Sequence, residues 1–358
     1  MLISHLQSGL EQQSITYAES IKFSFASTVF KCGSVIVYFI MQRKCVIHLI
    51  LLWFIVGTNG CVAEEYHCNV EYYSHVVSFS NVVVEGSAMP RFSCSNSDNI
   101  ADLIFKMSLL EEVPKQLFAT FPNLVVANFT RSGIKRINRY SLNRALHLKN
   151  LYLKSNELQE LNADCFYGAA VLLDLDLSFN NISSIDRMAF NTLSKLLLVF
   201  LKELRLQRTF ISNLQHGTFA QQQSLKWLDI SYNNLDRFDF DILTSSAALQ
   251  QIFLDGNRLK SLNYEHLKKT FPALVKIGLS ENNWNCTYLT RLVSYCNDHA
   301  IRLFKSQAIQ IQTNINGIYC FDDKNPVTNW NNTLHQVQAL DSHLNGTSED
   351  SVLQTLLP

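Results

Sequence analysis

Glycine and proline are scarce in this 358-residue chain, with 12 and 6 residues, and no glycine-rich phosphate-binding string G-x-x-x-x-G-K-[ST] or G-x-G-x-x-G occurs. The 30 lysines and arginines are balanced by 30 aspartates and glutamates, so the chain lacks the basic excess that nucleic-acid binding requires. The strings H-E-x-x-H, G-x-S-x-G and C-x-x-C are also missing. The sequence therefore argues against an enzyme, a cofactor, a metal site and a nucleic-acid partner.

A short apolar run predicts the compartment. Cys45 to Gly57 is preceded by Arg43 and Lys44, and small residues follow at Cys61 and Ala63. These are the parts of a secretory signal peptide, which we expect to occupy residues 41–63. The run is shorter than the ~20 residues that span a membrane. The alternative, a signal anchor that begins near residue 34, would bury two basic residues in the bilayer.

The expected product is a secreted, extracellular protein without a membrane anchor. No later segment of the sequence is long and apolar enough to be an anchor, and the last residues are too few for a lipid-anchor signal. Residues 1–40 precede the signal peptide and are interpreted as a doubtful extension, since a signal peptide normally opens a chain.

A repeat organises the rest of the sequence. The frame L-x-L-x-x-N-x-L is clearest at Leu175–Ile182 and recurs around Asn156, Asn233 and Asn257. Weaker copies have Ser108, Ser132, Thr209 and Asn282 at the asparagine position. Successive centres are 24, 24, 24, 29, 24, 24 and 25 residues apart. Such a fixed period is the signature of a solenoid, in which each turn buries its apolar side against its neighbours.

The frame resembles the extracellular leucine-rich repeat. This resemblance implies an α/β leucine-rich repeat solenoid, or horseshoe, of about eight repeats with a parallel concave β-sheet and cysteine-containing caps. The expected organisation is an N-terminal cap at 64–99, repeats at 100–284, a C-terminal cysteine flank at 285–321 and a polar tail with a short helix at 322–358.

Three details of the repeats carry structural predictions. The asparagine side chains should satisfy backbone groups of the turns, and the serines and threonine at the same position should do so only in part. Phe118, Phe166, Phe190 and Phe219 share one position and should form a buried row. The 29-residue step contains five additional apolar residues, which we place at 197–201 and interpret either as a protruding loop or as a misassigned splice boundary.

Six cysteines remain after the predicted cleavage, and 15 complete pairings are open. We favour disulfides Cys68–Cys94 and Cys286–Cys320 at the two ends, with Cys165 as a core thiol. Cys296 is then a candidate for an intermolecular disulfide, and the alternative pairs it within the C-terminal flank.

Five N-x-[ST] strings are candidate glycosylation sites in a secreted chain, and three of them are expected to be occupied. Their asparagines are Asn128, Asn181, Asn285, Asn331 and Asn345.

The outward positions of the strands form the predicted binding surface, because concave solenoid faces usually bind partners. Exposed aromatic and charged side chains there match the composition of protein interfaces. The candidate residues are Tyr152, Asp176, Phe179, Arg205, Trp227, Asp229, Tyr232 and Phe253. The acidic pair Asp174 and Asp176 is interpreted as a solvated face and not as catalytic.

The array, its N-x-W-x-C flank at Asn282–Cys286 and the lack of an anchor make the chain similar to the short mosquito-type insect leucine-rich repeat immune proteins. This resemblance implies defence in body fluid through extracellular protein partners, such as another leucine-rich repeat chain or a defence factor. The chain lacks the coiled coil of the long members. The alternative function is a matrix or developmental signalling adaptor that binds a receptor or a growth factor.

Overall fold

The computed structural model describes residues 64–71, 73, 75–84, 89–191, 201–304 and 314–321, and the backbone of 30–32 and 35–37. One compact unit, residues 1–64, contains an antiparallel pair of strands, β1 (Phe30–Cys32) and β2 (Val35–Val37). The predicted signal peptide and polar tail lie outside the described residues. Among the described residues there is no helix with the length and apolar character needed to cross a membrane.

The second unit, residues 65–358, contains an eleven-stranded sheet within its described part. Neighbours in the sheet follow the order of the chain, and every pairing is parallel except the first, which is antiparallel. The strands are β4 (Asn69–Val70), β5 (Val76–Ser80), β7 (Asp102–Lys106), β8 (Val126–Asn128), β9 (Asn150–Tyr152), β11 (Asp174–Asp176), β13 (Glu203–Arg205), β14 (Trp227–Asp229), β15 (Gln251–Phe253), β16 (Lys276–Gly278) and β17 (Arg302–Phe304).

Three two-stranded pairs lie outside this sheet in the described part of the second unit. They are β3 (Glu65–His67) with β6 (Arg91–Ser93), β10 (Glu160–Leu161) with β12 (Ser184–Ile185), and β18 (Asn314–Ile315) with β19 (Ile318–Tyr319).

The core consists of the inward residues of the repeated frame. The middle residues of the strands align in register, so that Leu151, Leu175, Leu204 and Leu228 stack on neighbouring turns. All four side chains are fully buried, as are Leu153, Leu177, Ile230 and Leu254 two residues further along. The predicted alignment of the apolar repeat is therefore confirmed.

The asparagines form a buried ladder of hydrogen bonds. Nδ2 of Asn180 donates to the carbonyls of Leu177 (2.8 Å) and Leu153 (2.9 Å), and its Oδ1 accepts from the Leu158 amide (3.0 Å). Similar bonds recur at the ladder positions Asn156, Asn233, Asn257 and Asn282. Each side chain thus satisfies backbone groups of its own turn and of the turn before it.

The smaller side chains at the ladder position make fewer of these bonds, as predicted. The single hydroxyl hydrogen of Thr209 is shared between two acceptors, the Leu206 carbonyl (3.0 Å) and Oδ1 of Asn233 (2.7 Å). The buried hydroxyl of Ser132 has no hydrogen-bond partner among the described residues.

Short helices lie between the strands: α1 (Leu117–Thr120), α2 (Leu267–Thr270) and two 3-10 helices, Ser97–Asn99 and Phe240–Leu243. The predicted aromatic row is buried, and Phe166, Phe190 and Phe219 stack with ring centroids 5.7 and 5.8 Å apart. Offset stacking of this kind contributes about 0.5–1.5 kcal/mol per pair beyond the free energy gained by burying the rings.

The long repeat resumes at Leu201, and the expected placement of its additional residues needs correction. Leu201 is fully buried at the position that Leu172 and Leu225 occupy in neighbouring turns. The amide of Lys202 then pairs with the Leu173 carbonyl, as in a regular turn. The additional residues therefore precede Leu201, and residues 197–200 lie outside the described residues.

Both ends carry a disulfide. At the N-terminal end, Cys68 is bonded to Cys94, and Val77 and Phe79 of β5 continue the core beneath Leu103 and Phe105. The N-terminal flank thus adds one more turn of the sheet ahead of the first repeat.

At the C-terminal end, Cys286 is bonded to Cys320. Trp284 is fully buried at a leucine position, and its indole N–H donates to the Leu279 carbonyl (2.7 Å). Helix α3 (Cys286–Asp298) follows, and the side chain of Asn285 accepts a bond from the Tyr288 amide (3.3 Å) at its start.

The two remaining described cysteines, Cys165 and Cys296, have free thiols, and both are buried. Cys296 is 0% exposed on the inner side of α3. This burial argues against the predicted intermolecular disulfide through Cys296, because its sulfur is out of reach of a second chain unless α3 unfolds locally. The alternative pairing within the flank is not formed either.

Candidate functional site

Five adjacent strands of the sheet, β9, β11, β13, β14 and β15, place five of the eight predicted site residues in one row. The third residues of these strands, Tyr152, Asp176, Arg205, Asp229 and Phe253, are neighbours in register. Adjacent parallel strands lie about 4.8 Å apart, so consecutive side chains of this row can touch. We call this surface, with the parallel row Asn150, Asp174, Glu203, Trp227 and Gln251, the concave patch.

An ion-pair network occupies the first half of the concave patch. Arg205 donates to Oδ1 of Asp174 and to Oε2 of Glu203 (2.6 Å), while the hydroxyl of Tyr152 donates to Oδ2 of Asp174 (3.3 Å). Burial raises the pKa of Asp174, and the Arg205 guanidinium offsets only part of this effect. Burial would lower the pKa of Arg205, but the carboxylates of Asp174 and Glu203 raise it overall. The guanidinium is therefore held in a fixed position.

An aromatic cluster occupies the second half. The rings of Trp227 and Phe253 lie 4.9 Å apart, and Phe304 of β17 packs edge-on against Phe253 at 5.2 Å. Nζ of Lys276 lies over both phenylalanine rings, at 5.2 and 4.7 Å. The expectation that Phe253 is exposed is wrong, because these neighbours leave it only 5% exposed. The accessible aromatic groups of this cluster are the half-buried Trp227 and the exposed Phe304.

Two carboxyl groups in the same part of the sheet, the half-buried Asp229 and the buried Asp255, have raised pKa values. Burial raises the pKa of Asp229, and hydrogen bonds from the amide (2.9 Å) and the hydroxyl of Ser231 lower it by a smaller amount. Burial also raises the pKa of Asp255 to about 7, and the negative charges of Asp229 and Glu281 raise it further. A hydrogen bond from the Ser280 amide (2.9 Å) lowers it by a smaller amount. Ionisation of Asp255 is therefore costly in the folded chain.

A column of left-handed residues borders the concave patch. The residue before each ladder position has a positive φ, including Phe179 (56°), Arg208 (52°), Tyr232 (54°) and Gly256 (62°). The guanidinium of Arg208 lies over the rings of Phe179 (5.5 Å) and Tyr232 (4.7 Å). The hydroxyl of Tyr232 donates to Oε1 of Glu281 (3.1 Å). Phe179 and Tyr232 are thus half-buried and fixed beside the patch.

Several residues of this surface were not predicted from the sequence as site residues. Asp174, Glu203, Lys276 and Phe304 complete the two clusters, and Arg208 joins the two bordering aromatic residues. The register of the repeat was sufficient to find Asp174, Glu203 and Lys276, since they take outward strand positions. In the described part of the chain, no group of three or more His, Cys, Asp or Glu residues could hold a metal ion.

The predicted glycosylation sites differ in accessibility. Asn181 is exposed, whereas Asn128 and Asn285 are half-buried and accept hydrogen bonds from the Thr130 amide (2.9 Å) and the Tyr288 amide (3.3 Å). Asn331 and Asn345 lie outside the described residues.

Comparison with known proteins agrees with this architecture. Residues 146–201 and 199–259 match the family model described as leucine rich repeat. The chain is similar to osteomodulin of Bos taurus, with 30% identity over 139 residues, or 38% of this chain and 31% of that protein. It is also similar to keratocan of Gallus gallus, with 28% identity over 51% of this chain and 49% of that protein.

A third relative is the transforming growth factor beta activator LRRC33 of Danio rerio, which is 24% identical over 54% of this chain and 28% of its own length. The chain thus spans between about a quarter and a half of the lengths of these relatives. The aligned frame, the parallel sheet and these matches agree that residues 146–259 form leucine-rich repeats.

Proposed function

We propose that the chain is a secreted, non-catalytic recognition protein that binds an extracellular protein partner through the concave patch. The observation that carries this proposal is the convergence of half-exposed aromatic and charged side chains on adjacent strands that are fixed by the repeat. Rigid surfaces of this kind lose little conformational entropy when they bind.

The charge of the concave patch favours a basic partner. Four half-buried carboxyl groups, Asp174, Asp176, Glu203 and Asp229, surround the single guanidinium of Arg205. A partner surface with lysine or arginine side chains would complement this excess, and Trp227 would supply an aromatic contact beside it. Such binding weakens with salt, because charges at the rim of an interface are screened.

A capture experiment tests the proposal. The immobilised chain 64–358 is incubated with native extracellular fluid at low salt, and retained proteins are identified and eluted with salt. We expect one basic protein to bind wild type, and its capture should fall at least tenfold with Trp227→Ala. Tyr140→Ala is the matched aromatic control, since Tyr140 is 58% exposed and lies outside the sheet. Equal capture by all variants would contradict binding through the concave patch.

The biological context we propose is innate immune defence, which the resemblance to short insect immune proteins supports. The partner would then be another leucine-rich repeat chain or a defence factor. Induction of the transcript by infection is the expected observation.

A second candidate is a matrix or developmental adaptor that binds a growth factor or its receptor. The similarity to a protein named as a transforming growth factor beta activator favours this candidate. Expression fixed in one tissue, unchanged by infection, would support it over defence.

A further inference from the structure

One lateral surface of the solenoid is formed by the residues that directly follow the ladder positions. The amide of Asn181 pairs with the Leu158 carbonyl (2.9 Å), and the amide of Phe210 pairs with the Ile182 carbonyl (2.9 Å). Asn181 and Phe210 therefore occupy equivalent positions on neighbouring turns. We call the set of these positions the lateral column; it comprises Leu109, Gly133, Glu157, Asn181, Phe210, Asn234, Arg258 and Asn283.

Side chains on neighbouring turns of the lateral column touch each other. Arg258 donates to Oδ1 of Asn234 (2.9 Å), and these two residues have the same relation to each other as Phe210 has to Asn181. A group attached to the side chain of Asn181 is accordingly within reach of the Phe210 ring.

Phe210 is an exposed aromatic residue in a mainly polar column. Its side chain is 56% exposed, while most equivalent positions carry Glu, Asn, Arg or Gly. Covering an exposed ring of this size removes apolar surface from water, which is favourable.

Asn181 is the most open of the described glycosylation sequons. Its side chain and that of Ser183, the hydroxyl residue of the sequon, are both exposed. Asn128 and Asn285 instead use their side chains to accept backbone hydrogen bonds. Attachment of a sugar at Asn181 therefore disturbs no such bond.

We propose that Asn181 carries an N-linked glycan whose first N-acetylglucosamine packs against the Phe210 ring. The apolar face of the sugar would cover the exposed ring, so that the lateral column is closed to protein partners and the concave patch remains open. This inference rests on the proposed secretion, because N-glycans are attached in the secretory pathway.

The first test measures occupancy on the full chain secreted from a eukaryotic cell. Peptide N-glycosidase in heavy-oxygen water converts a glycosylated asparagine to labelled aspartate, which mass spectrometry detects. We expect the label at Asn181 on most secreted molecules. Secreted chain that is mostly unlabelled at Asn181 would overturn this inference alone, whereas a chain retained in the cytosol would contradict the proposed secretion.

The second test measures contact between sugar and ring by a double-mutant cycle on protein trimmed to a single N-acetylglucosamine. Relative to Asn181→Gln, the sugar should raise Tm by about 2–4 °C when Phe210 is present. The gain should vanish with Phe210→Ser and remain with the conservative Phe210→Tyr. An equal gain in the Phe210→Ser background would show that the sugar does not pack on the ring.

Discussion

Tyr232 donates its hydroxyl hydrogen to Glu281 across the turn that contains Gly256, with 3.1 Å between the two oxygens. A Cβ atom added at Gly256 would overlap the ring of Tyr232. The glycine thus allows an aromatic side chain beside the concave patch to lie flat over one turn and to reach the next. This contact fixes the border of the proposed binding surface.

Gly256→Ala should destabilise the chain by about 1–3 kcal/mol, because it combines a positive φ with a clash against Tyr232. Urea unfolding measures the loss. Gly217→Ala is the matched control, since Gly217 also has a positive φ (95°) but has no heavy atom within 4 Å of an added Cβ. The excess cost at Gly256 should disappear in a Tyr232→Ala background. A cost that persists there would assign the effect to the backbone alone.

Asn180→Ala should destabilise the chain by about 2–4 kcal/mol, because it leaves buried carbonyls of Leu153 and Leu177 and the amide of Leu158 without their partner. Denaturant unfolding of the unglycosylated protein checks this value. The neighbouring variant Asn181→Ala changes an exposed side chain and should alter stability by less than about 0.5 kcal/mol. Similar losses in the two variants would contradict the structural role of the ladder.

Stability should fall as pH rises from about 4 to 8. The pKa of Asp255 increases from 3.8 to about 7 on folding through burial, so the folded chain binds this proton more tightly than the unfolded chain. The stabilising contribution of the protonated group is complete below the unfolded pKa and is lost as pH rises through the folded pKa. Asp255→Asn should remove this slope and raise the free energy of unfolding at pH 8 by up to about 4 kcal/mol.

Unfolding curves at several pH values measure the effect of Asp255. Asp236→Asn is the control, because it makes the same chemical change at an exposed position. A wild-type slope retained in Asp255→Asn would show that other groups cause it.

The thiols of Cys165 and Cys296 should not react with a thiol reagent in the folded protein 64–358. Both are buried, and burial raises the pKa of Cys296 to about 12, so little thiolate forms at neutral pH. Two thiols should react once the protein is unfolded without reductant. Wild type and Cys296→Ser should both run as monomers on a non-reducing gel. A disulfide-linked dimer that disappears with Cys296→Ser would contradict the buried position.

The repeated frame was enough to predict the solenoid architecture, because each inward aliphatic residue at a two-residue spacing must find the equivalent residue of the next turn. The asparagine ladder was predictable for the same reason. The placement at Leu201 was not, since Leu196 and Leu201 restore the frame equally well in the sequence, and only the burial of Leu201 identifies the leucine that fills the repeat position.

The candidate site was predictable as a surface but not in its contacts. Phe253 takes an outward position, and its burial depends on Phe304, which lies about fifty residues further along the chain in the C-terminal flank. The orientation of Cys296 likewise depends on how α3 packs on the last turn, which spacing alone does not fix. The ion pairs of Arg205 required the register of two strands and the side-chain conformations together.

The ladder gives the solenoid a direction. Oδ1 of Asn282 accepts the Leu259 amide of the turn before it, so each turn is completed by the one that follows. Removing a turn from the C-terminal end therefore leaves a buried backbone amide of the new last turn without its acceptor. Removing a turn from the N-terminal end instead leaves the side-chain amide of the next asparagine open to water. The two ends of the array are not equivalent for this reason. A graft or a truncated variant should therefore keep the C-terminal end intact, with Trp284, α3 and the Cys286–Cys320 disulfide.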